Sequence, residues 1–321
     1  MLLYIARRLV WTIVVIFCVL AITFAIFYLM PNGDPALQFA GKAPTTAVLN
    51  EIHHRLGLDH PWWYQFGKYV KNFFVGDQYG WPGLGFSFAG NVSVLGQVVQ
   101  KAPRTLFLIG GAAVIWLVTG VAVGVLSAVR RRSLVDRFAM GFALFGISTP
   151  IFWLGLMALY IFWWKLHWTG GTGYVPIDQG VGKWLSHLIL PWCCLALLYA
   201  AFYARMTRNN LLETLGEDYI RTARAKGLSE RRVILKHGLR SSLTPIVTMF
   251  GMDVALLVGG AIITESVFNL QGLGWLAINS AQQQDLPTLL GVVMLTATAV
   301  AVMNLVVDIV YAFLDPRVRL T

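Results

Sequence analysis

Six long apolar runs leave this chain essentially one kind of folded state. They cover residues 9–30, 106–129, 138–164, 187–204, 245–263 and 288–313. A helix rises about 1.5 Å per residue, so about 20 apolar residues cross about 30 Å of hydrocarbon. In that medium each segment must satisfy its own backbone amides, which a helix does. The expected fold class is therefore all-α: a polytopic membrane protein with six transmembrane helices. Pro150 inside 138–164 predicts a kink, and 187–204 is short, with Pro191 near its start. Composition agrees, with 57% hydrophobic and 12% charged residues and a mean hydropathy of +0.66, which excludes a disordered chain and argues against a soluble enzyme. The first run is longer than the roughly 7–15 apolar residues of a signal peptide and no Ala-x-Ala site follows, so it reads as an uncleaved helix.

Charge then orients the spans. Six crossings put both termini on one side, and that side holds 17 of the 25 Lys and Arg residues: Arg7 and Arg8, Arg130–Arg132 and Arg137, nine between Arg205 and Arg240, and Arg317 and Arg319. The positive-inside rule makes this the cytoplasmic side. The net charge of +10 is thus a topology signal, with membrane lipid and not nucleic acid as the partner. Residues 1–30 form an N-terminal segment and first span, 31–105 a long external segment, and 106–321 a core of five spans. The large cytoplasmic segment within that core is 205–242.

No motif in the chain carries catalysis. Gly41-Lys42, Gly67-Lys68 and Gly182-Lys183 lack both the earlier Gly and the following Ser or Thr of a phosphate-binding loop. Neither H-E-x-x-H nor G-x-S-x-G occurs. Cys18, Cys193 and Cys194 lie in apolar runs and read as packing residues; His53, His54 and His60 read as a solvated helix surface. Transport or channel activity is the class that remains.

The strongest local signal is cytoplasmic. From Asn209 to Leu239 two helices are expected, separated by Gly227 in a left-handed turn and with Ser229 capping the second. Leu212, Leu215, Tyr219, Ala223 and Lys226 share one helical face, half apolar and half basic. Held between two spans, such a hairpin can dock as a rigid knob in a partner's groove.

Asp218-Tyr219-Ile220-Arg221-Thr222-Ala223-Arg224-Ala225-Lys226-Gly227 resembles the coupling loop of ABC-importer permeases of the dipeptide/oligopeptide type. Against the general E-A-A-x3-G-x9-I-x-L-P pattern of importers, Ala223 and Gly227 match, while Arg221, Thr222, His237 and Arg240 replace the Glu, first Ala, Ile and Pro. Tyr4–Leu9, Asn32-Gly33-Asp34-Pro35, Leu56–Pro61, Thr264–Phe268 with Gly272-Leu273-Gly274, Asp285-Leu286-Pro287 and Asn304–Asp308 through Arg319 resemble the B-type subunit of that family. The Gly76-Asp77…Gly85-Phe86-Ser87 stretch is longer than the family's usual one.

The resemblance implies a permease that pairs with a second, homologous permease. It implies two cytoplasmic ATPase subunits that hold ATP and Mg, so that this chain needs no cofactor and no metal, and an external solute-binding protein. The substrates it implies are di- and oligopeptides, with nickel chelates or another solute as variants. An ion-coupled secondary transporter is the rival reading. Coupling to the ATPases is expected to centre on residues 217–228. There Tyr219, Ile220 and Ala223 would supply apolar contact, Glu217, Asp218, Arg221, Arg224 and Lys226 charge, and Gly227 and Leu228 the turn. Asp253 and Asp308 lie within spans and must face protein or water. Asp308 reads as structural, paired with an Arg or with backbone near a helix end; Asp253 reads either as structural in the same way or as a group lining the substrate path. Residues 264–287, with Gly272 and Gly274, are expected to form a re-entrant element at the mouth of that path.

Overall fold

The computed structural model describes residues 2–30, 34–40 and 45–314. The expected turn at 31–33 and the C-terminal stretch with Arg317 and Arg319 lie outside them. Helix α1 (Leu2–Phe24) continues as a π-helical turn (Ala25–Leu29). Three short helices follow, α2 (Pro35–Phe39), α3 (Thr46–Leu56) and α4 (Trp62–Val75), then a two-stranded hairpin, β1 (Phe86–Ser87) and β2 (Val92–Ser93). The long helices are α5 (Val94–Val129), α8 (Val181–Thr214) and α15 (Leu286–Leu314). Between α5 and α8 lie α6 (Leu134–Ser148) and α7 (Ile151–Ala158), the latter running on as a π-helix to Lys165. Between α8 and α15 lie α9 (Asp218–Ala225), α10 (Glu230–Arg232), a π-helical stretch (Val233–Gly238), α11 (Leu239–Ser242), α12 (Thr244–Val258), α13 (Ile262–Val267) and α14 (Leu273–Gln283).

Among the described residues, four helices are long and apolar enough to cross a membrane, or six if each of two bent pairs counts as one span. Several boundaries differ from those expected. Helix α5 starts at Val94 and not near 106, because Lys101, Pro103 and Arg104 interrupt the apolar window without interrupting the helix. Helix α8 is 34 residues long, about 51 Å at helical rise, so it runs ten residues beyond its expected end at 204. Arg205 and Arg208 end the apolar run, not the backbone ladder. At Pro150 the chain turns by 103°, a break and not a kink. Thr149 and Pro150 are both extended; proline disfavours the helical region for the residue before it and offers no N–H to carry the ladder on. Helix α12 stops at Val258, before Gly259-Gly260, short of its expected end at 263.

The main core lies between α5, α8, α12 and the α7–α13 pair, with Trp116, Tyr203 and Phe268 almost wholly buried. The α5–α8 seam closes over small residues: a Cβ on Gly120 would sit 2.7 Å from Tyr203 Cβ, and one on Gly124 would sit 2.6 Å from the Ala204 carbonyl oxygen. Close backbone approach of this kind is how helices associate where lipid removes the hydrophobic drive. A second core joins α1, α4, α5, α14 and α15. The outer face of α1 leaves Val10, Trp11, Ile13 and Phe17 exposed, as lipid contact allows.

The segment after α1 is ordered by local polar bonds. The Asp34 carboxylate caps α2 and accepts from His53 Nε2 at 2.7 Å. Burial pushes the Asp34 carboxyl up, but the bonds from His53 and the Ala36 N–H outweigh it and hold the group below the usual carboxylate range. The longer Gly76–Ser87 stretch closes on Asp77, whose two oxygens accept from the Tyr79 and Gly85 N–H groups at 2.8 and 2.9 Å.

Candidate functional site

Helix α9 begins after a three-residue turn from α8, with Glu217 extended at its N-terminal boundary and Asp218 in the first turn, where the helix dipole favours a carboxylate. Its end follows a definite pattern. Gly227 has φ +76°; its N–H bonds the Arg224 carbonyl at 2.9 Å, and the Leu228 N–H reaches back to the Ala223 carbonyl at 3.4 Å. Paired bonds of this kind around a left-handed glycine form a Schellman motif, which brings the residue after the glycine against the helix's last turn. Leu228 accordingly packs with Ala223, Ile220 and Val233, and with Leu215 from the end of α8. Ser229 occupies the boundary of the next helix, with its carbonyl and not its hydroxyl engaged. Arg224 Nε meets Glu230 Oε1 at 2.8 Å, a bridge between two exposed groups that contributes little.

This packing corrects two expectations. The face drawn from Leu212 to Lys226 is not one helix, because α8 ends at Thr214 and α9 is only eight residues long. Ile220 and Ala223 do not point outward; they are 0% and 7% exposed and form the hairpin's own core. The outward strip includes Glu217, Asp218, Tyr219, Arg221, Thr222, Arg224, Ala225, Lys226 and Gly227, with Tyr219 its large apolar member at 45% exposed.

The hairpin stands on an ionic joint at the foot of α8. Asp136, in the first turn of α6, accepts from Arg208 Nε at 2.7 Å and Nη2 at 2.9 Å, from the Ser127 hydroxyl, and from the Arg132 N–H at 2.8 Å. Ser133 in turn caps the same helix by accepting from the Asp136 N–H. One buried carboxylate thus ties α5, α6 and α8 together. Five residues earlier on α8, the Tyr203 hydroxyl donates to Asp253 Oδ2 of α12 at 2.6 Å. Asp253 is half-buried and has no cation partner among the described residues. Around it Trp116 stacks on Tyr199 at 4.7 Å and lies 5.9 Å from Phe250.

A third carboxylate, Glu265 on α13, is fully buried. It accepts from the Thr105 hydroxyl of α5 at 2.6 Å and from the Trp275 N–H in the first turn of α14 at 2.8 Å. Gly272 and Gly274 are packed into this joint: a Cβ on Gly272 would lie 2.6 Å from Glu265 Oε1, and one on Gly274 would lie 2.7 Å from Ile262 Cγ1. Both glycines are buried, so they do not present a surface to a path, contrary to their expected place on one. Residues 264–287 form two short helices and a turn closed by Asp285, which accepts from Ser87 and Thr288 at 2.7 Å. Asp308 meets Arg8 at 2.8 Å, joining α15 to α1.

The sequence around this framework matches two family models. Residues 120–320 fit the model of the binding-protein-dependent transport system inner membrane component, and residues 1–109 fit the model of the N-terminal part of such membrane components. The chain belongs to this family. The permease is 38% identical, over 99% of both chains, to the dipeptide transport system permease protein DppB of Escherichia coli K12. It is likewise 38% identical, over 99% of both chains, to the glutathione transport system permease protein GsiC of Escherichia coli O6:H1. In fold it resembles a chain of the MetNI methionine ABC transporter, with a TM-score of 0.57 at 20% identity, covering 69% of the permease and 97% of that chain.

Sequence reasoning passed over Asp136, Arg208 and Glu265 as site residues. A signal existed for the first: Ser133-Leu-Val-Asp136 ahead of an apolar run is a capping pattern. Arg208, 72 positions away from it, has no such signature.

Proposed function

We propose that the permease forms half of the translocation path of an ATP-driven importer for di- and oligopeptides. A second homologous permease supplies the other half, and an external solute-binding protein delivers the peptide to the 31–105 side. Two cytoplasmic ATPase subunits hold ATP and Mg; this chain is not itself an enzyme. Both termini and the 205–242 segment face the cytoplasm in a multi-pass arrangement. The observation that carries this reading is the 38% identity along essentially the full length of two permeases, one named for dipeptide and one for glutathione transport.

In this reading the outward strip of α9 docks in a groove of an ATPase subunit. Tyr219 is its apolar anchor, and Glu217, Asp218, Arg221, Arg224 and Lys226 lie at the rim, where charge tunes association more than it supplies affinity. Ile220, Ala223 and Leu228 act from beneath by keeping the strip rigid, and Gly227 permits the turn. Asp253 lines the path.

The test is copurification with candidate ATPases and reconstitution in liposomes, followed by peptide uptake and peptide-stimulated hydrolysis. Uptake without hydrolysis would overturn the ATP-driven reading. Tyr219→Ala should weaken docking directly. Gly227→Val should act through the turn, since a β-branched residue at positive φ costs on the order of 1–3 kcal/mol. If both variants keep full stimulation and uptake, the hairpin is not the coupling element.

A further inference from the structure

A cavity of about 380 Å³ lies between the segment that follows α1 and the first turns of α15. Its lining is divided in chemistry. Tyr28, Phe39, Tyr69 and Phe86 supply rings, and Leu290 and Met294 supply aliphatic wall. The rings touch one another, with Tyr28 centred 5.2 Å from Phe39 and 5.7 Å from Tyr69. Leu290 and Met294 are buried, whereas the cationic members Arg55 and Lys68 are part-exposed. The apolar wall is therefore the inner one and the cationic wall the outer.

Three of the donors in the lining have no acceptor within the described residues. Lys68 makes no ion pair or hydrogen bond among the described residues, and neither does the Tyr28 hydroxyl or the Asn72 amide. The Tyr69 hydroxyl reaches only Met294 sulfur, a weak acceptor. The one carboxylate in the lining, Asp77, is occupied by two backbone N–H groups. Arg55 is paired with Glu51 and donates to the Tyr79 hydroxyl, and its guanidinium lies 5.5 Å from the Phe86 ring centre. A cationic ligand would find no open carboxylate, and a purely apolar one would leave Lys68 unpaired. The surplus is for an anion with an apolar body.

Position supplies the class of molecule. Tyr28 ends the first spanning helix and Leu290 begins the last, so the cavity sits where membrane helices meet the interface. Trp62 and Trp63, exposed on α4, are residue types that settle at that depth. We propose that the cavity holds an anionic amphiphile, with one acyl chain among the rings and its phosphate or carboxylate accepting from Lys68 while Arg55 adds charge. At about 380 Å³ the cavity is on the scale of a pocket for one small ligand or one chain, not two. The inference rests on the chain spanning a membrane and not on the solute it transports.

The full-length permease, in nanodiscs of phosphatidylcholine, is offered either phosphatidylglycerol with a photoreactive acyl chain or photoreactive palmitate, then irradiated, digested and mapped. Label is expected on peptides covering 28–39, 65–88 or 286–294. Lys68→Glu should cut it roughly ten-fold, the scale of one charge-assisted contact, and Lys68→Arg should keep most of it. Labelling by phosphatidylglycerol assigns the site to bilayer lipid, and labelling by palmitate alone assigns it to a free fatty acid; either supports the proposal. Label equal in Lys68→Glu and the wild type, or absent from these peptides, overturns it. Melting of each variant in lipid-free detergent, expected to match the wild type, separates lost binding from lost folding.

Discussion

Helix α8 is held to its neighbours by two carboxylates only five residues apart along its length, and they are built in opposite ways. At Arg208, the Asp136 carboxylate is saturated: a two-pronged guanidinium, a hydroxyl and a backbone N–H all point at it, and it is 7% exposed. At Tyr203, the Asp253 carboxylate receives one neutral hydroxyl and keeps accepting capacity. The first is a closed joint, in which each charge justifies burial of the other. The second is open, which suits a group that meets a visiting donor. In the proposed importer this asymmetry would give rigidity where the hairpin attaches and spare accepting capacity at Asp253.

The comparison is exposed to direct attack. Asp136→Asn leaves the part-buried Arg208 guanidinium without a countercharge, and the expected loss is on the order of 2–4 kcal/mol, read as a fall in the melting temperature of the permease in nanodiscs. Replacing both partners, as Asp136→Leu with Arg208→Met, should recover only part of that loss: the apolar pair pays no desolvation cost, but the Ser127 hydroxyl and the Arg132 N–H lose their acceptor. Glu265→Gln is the intermediate case. Its amide would turn one donor toward the Trp275 N–H or the Thr105 hydroxyl, for about 1–3 kcal/mol in the same measurement. Asp253→Asn should be the smallest, under about 1 kcal/mol, because an amide oxygen still accepts from Tyr203. Its effect should fall on uptake of peptides with a free amino terminus, and Tyr203→Phe, which removes the donor, should cost about 1 kcal/mol in stability. If Asp253→Asn melts as low as Asp136→Asn, the second joint is structural like the first and its openness has no functional meaning.

The hairpin shows how far reading residues can go. The left-handed turn at Gly227 was legible because its signals are local: a glycine after a helical run and an apolar residue following it. The direction of Ile220 and Ala223 was not. An apolar stripe on a basic helix is the same pattern whether it meets a partner or its own chain, and Val233, which closes over it, lies on the π-helical stretch beyond the turn. The same limit governed the span ends. Arg205 and Arg208 look like the end of a membrane helix in any apolar window, but hydrogen bonding along α8 continues to Thr214.

By itself the sequence determined that this is a helical membrane protein, because stretches of about 20 apolar residues have no other way to satisfy their backbones in lipid. It determined the side on which charge gathers and the residue types of the hairpin. Only the tertiary structure decided which carboxylates are closed and which is open, that Gly272 and Gly274 belong to a buried joint, and that the segment after α1 folds back over the first turns of α15 to make a cavity. Those decisions join residues such as Thr105 and Glu265, 160 positions apart. No local propensity encodes such a pairing; it follows from how whole helices pack.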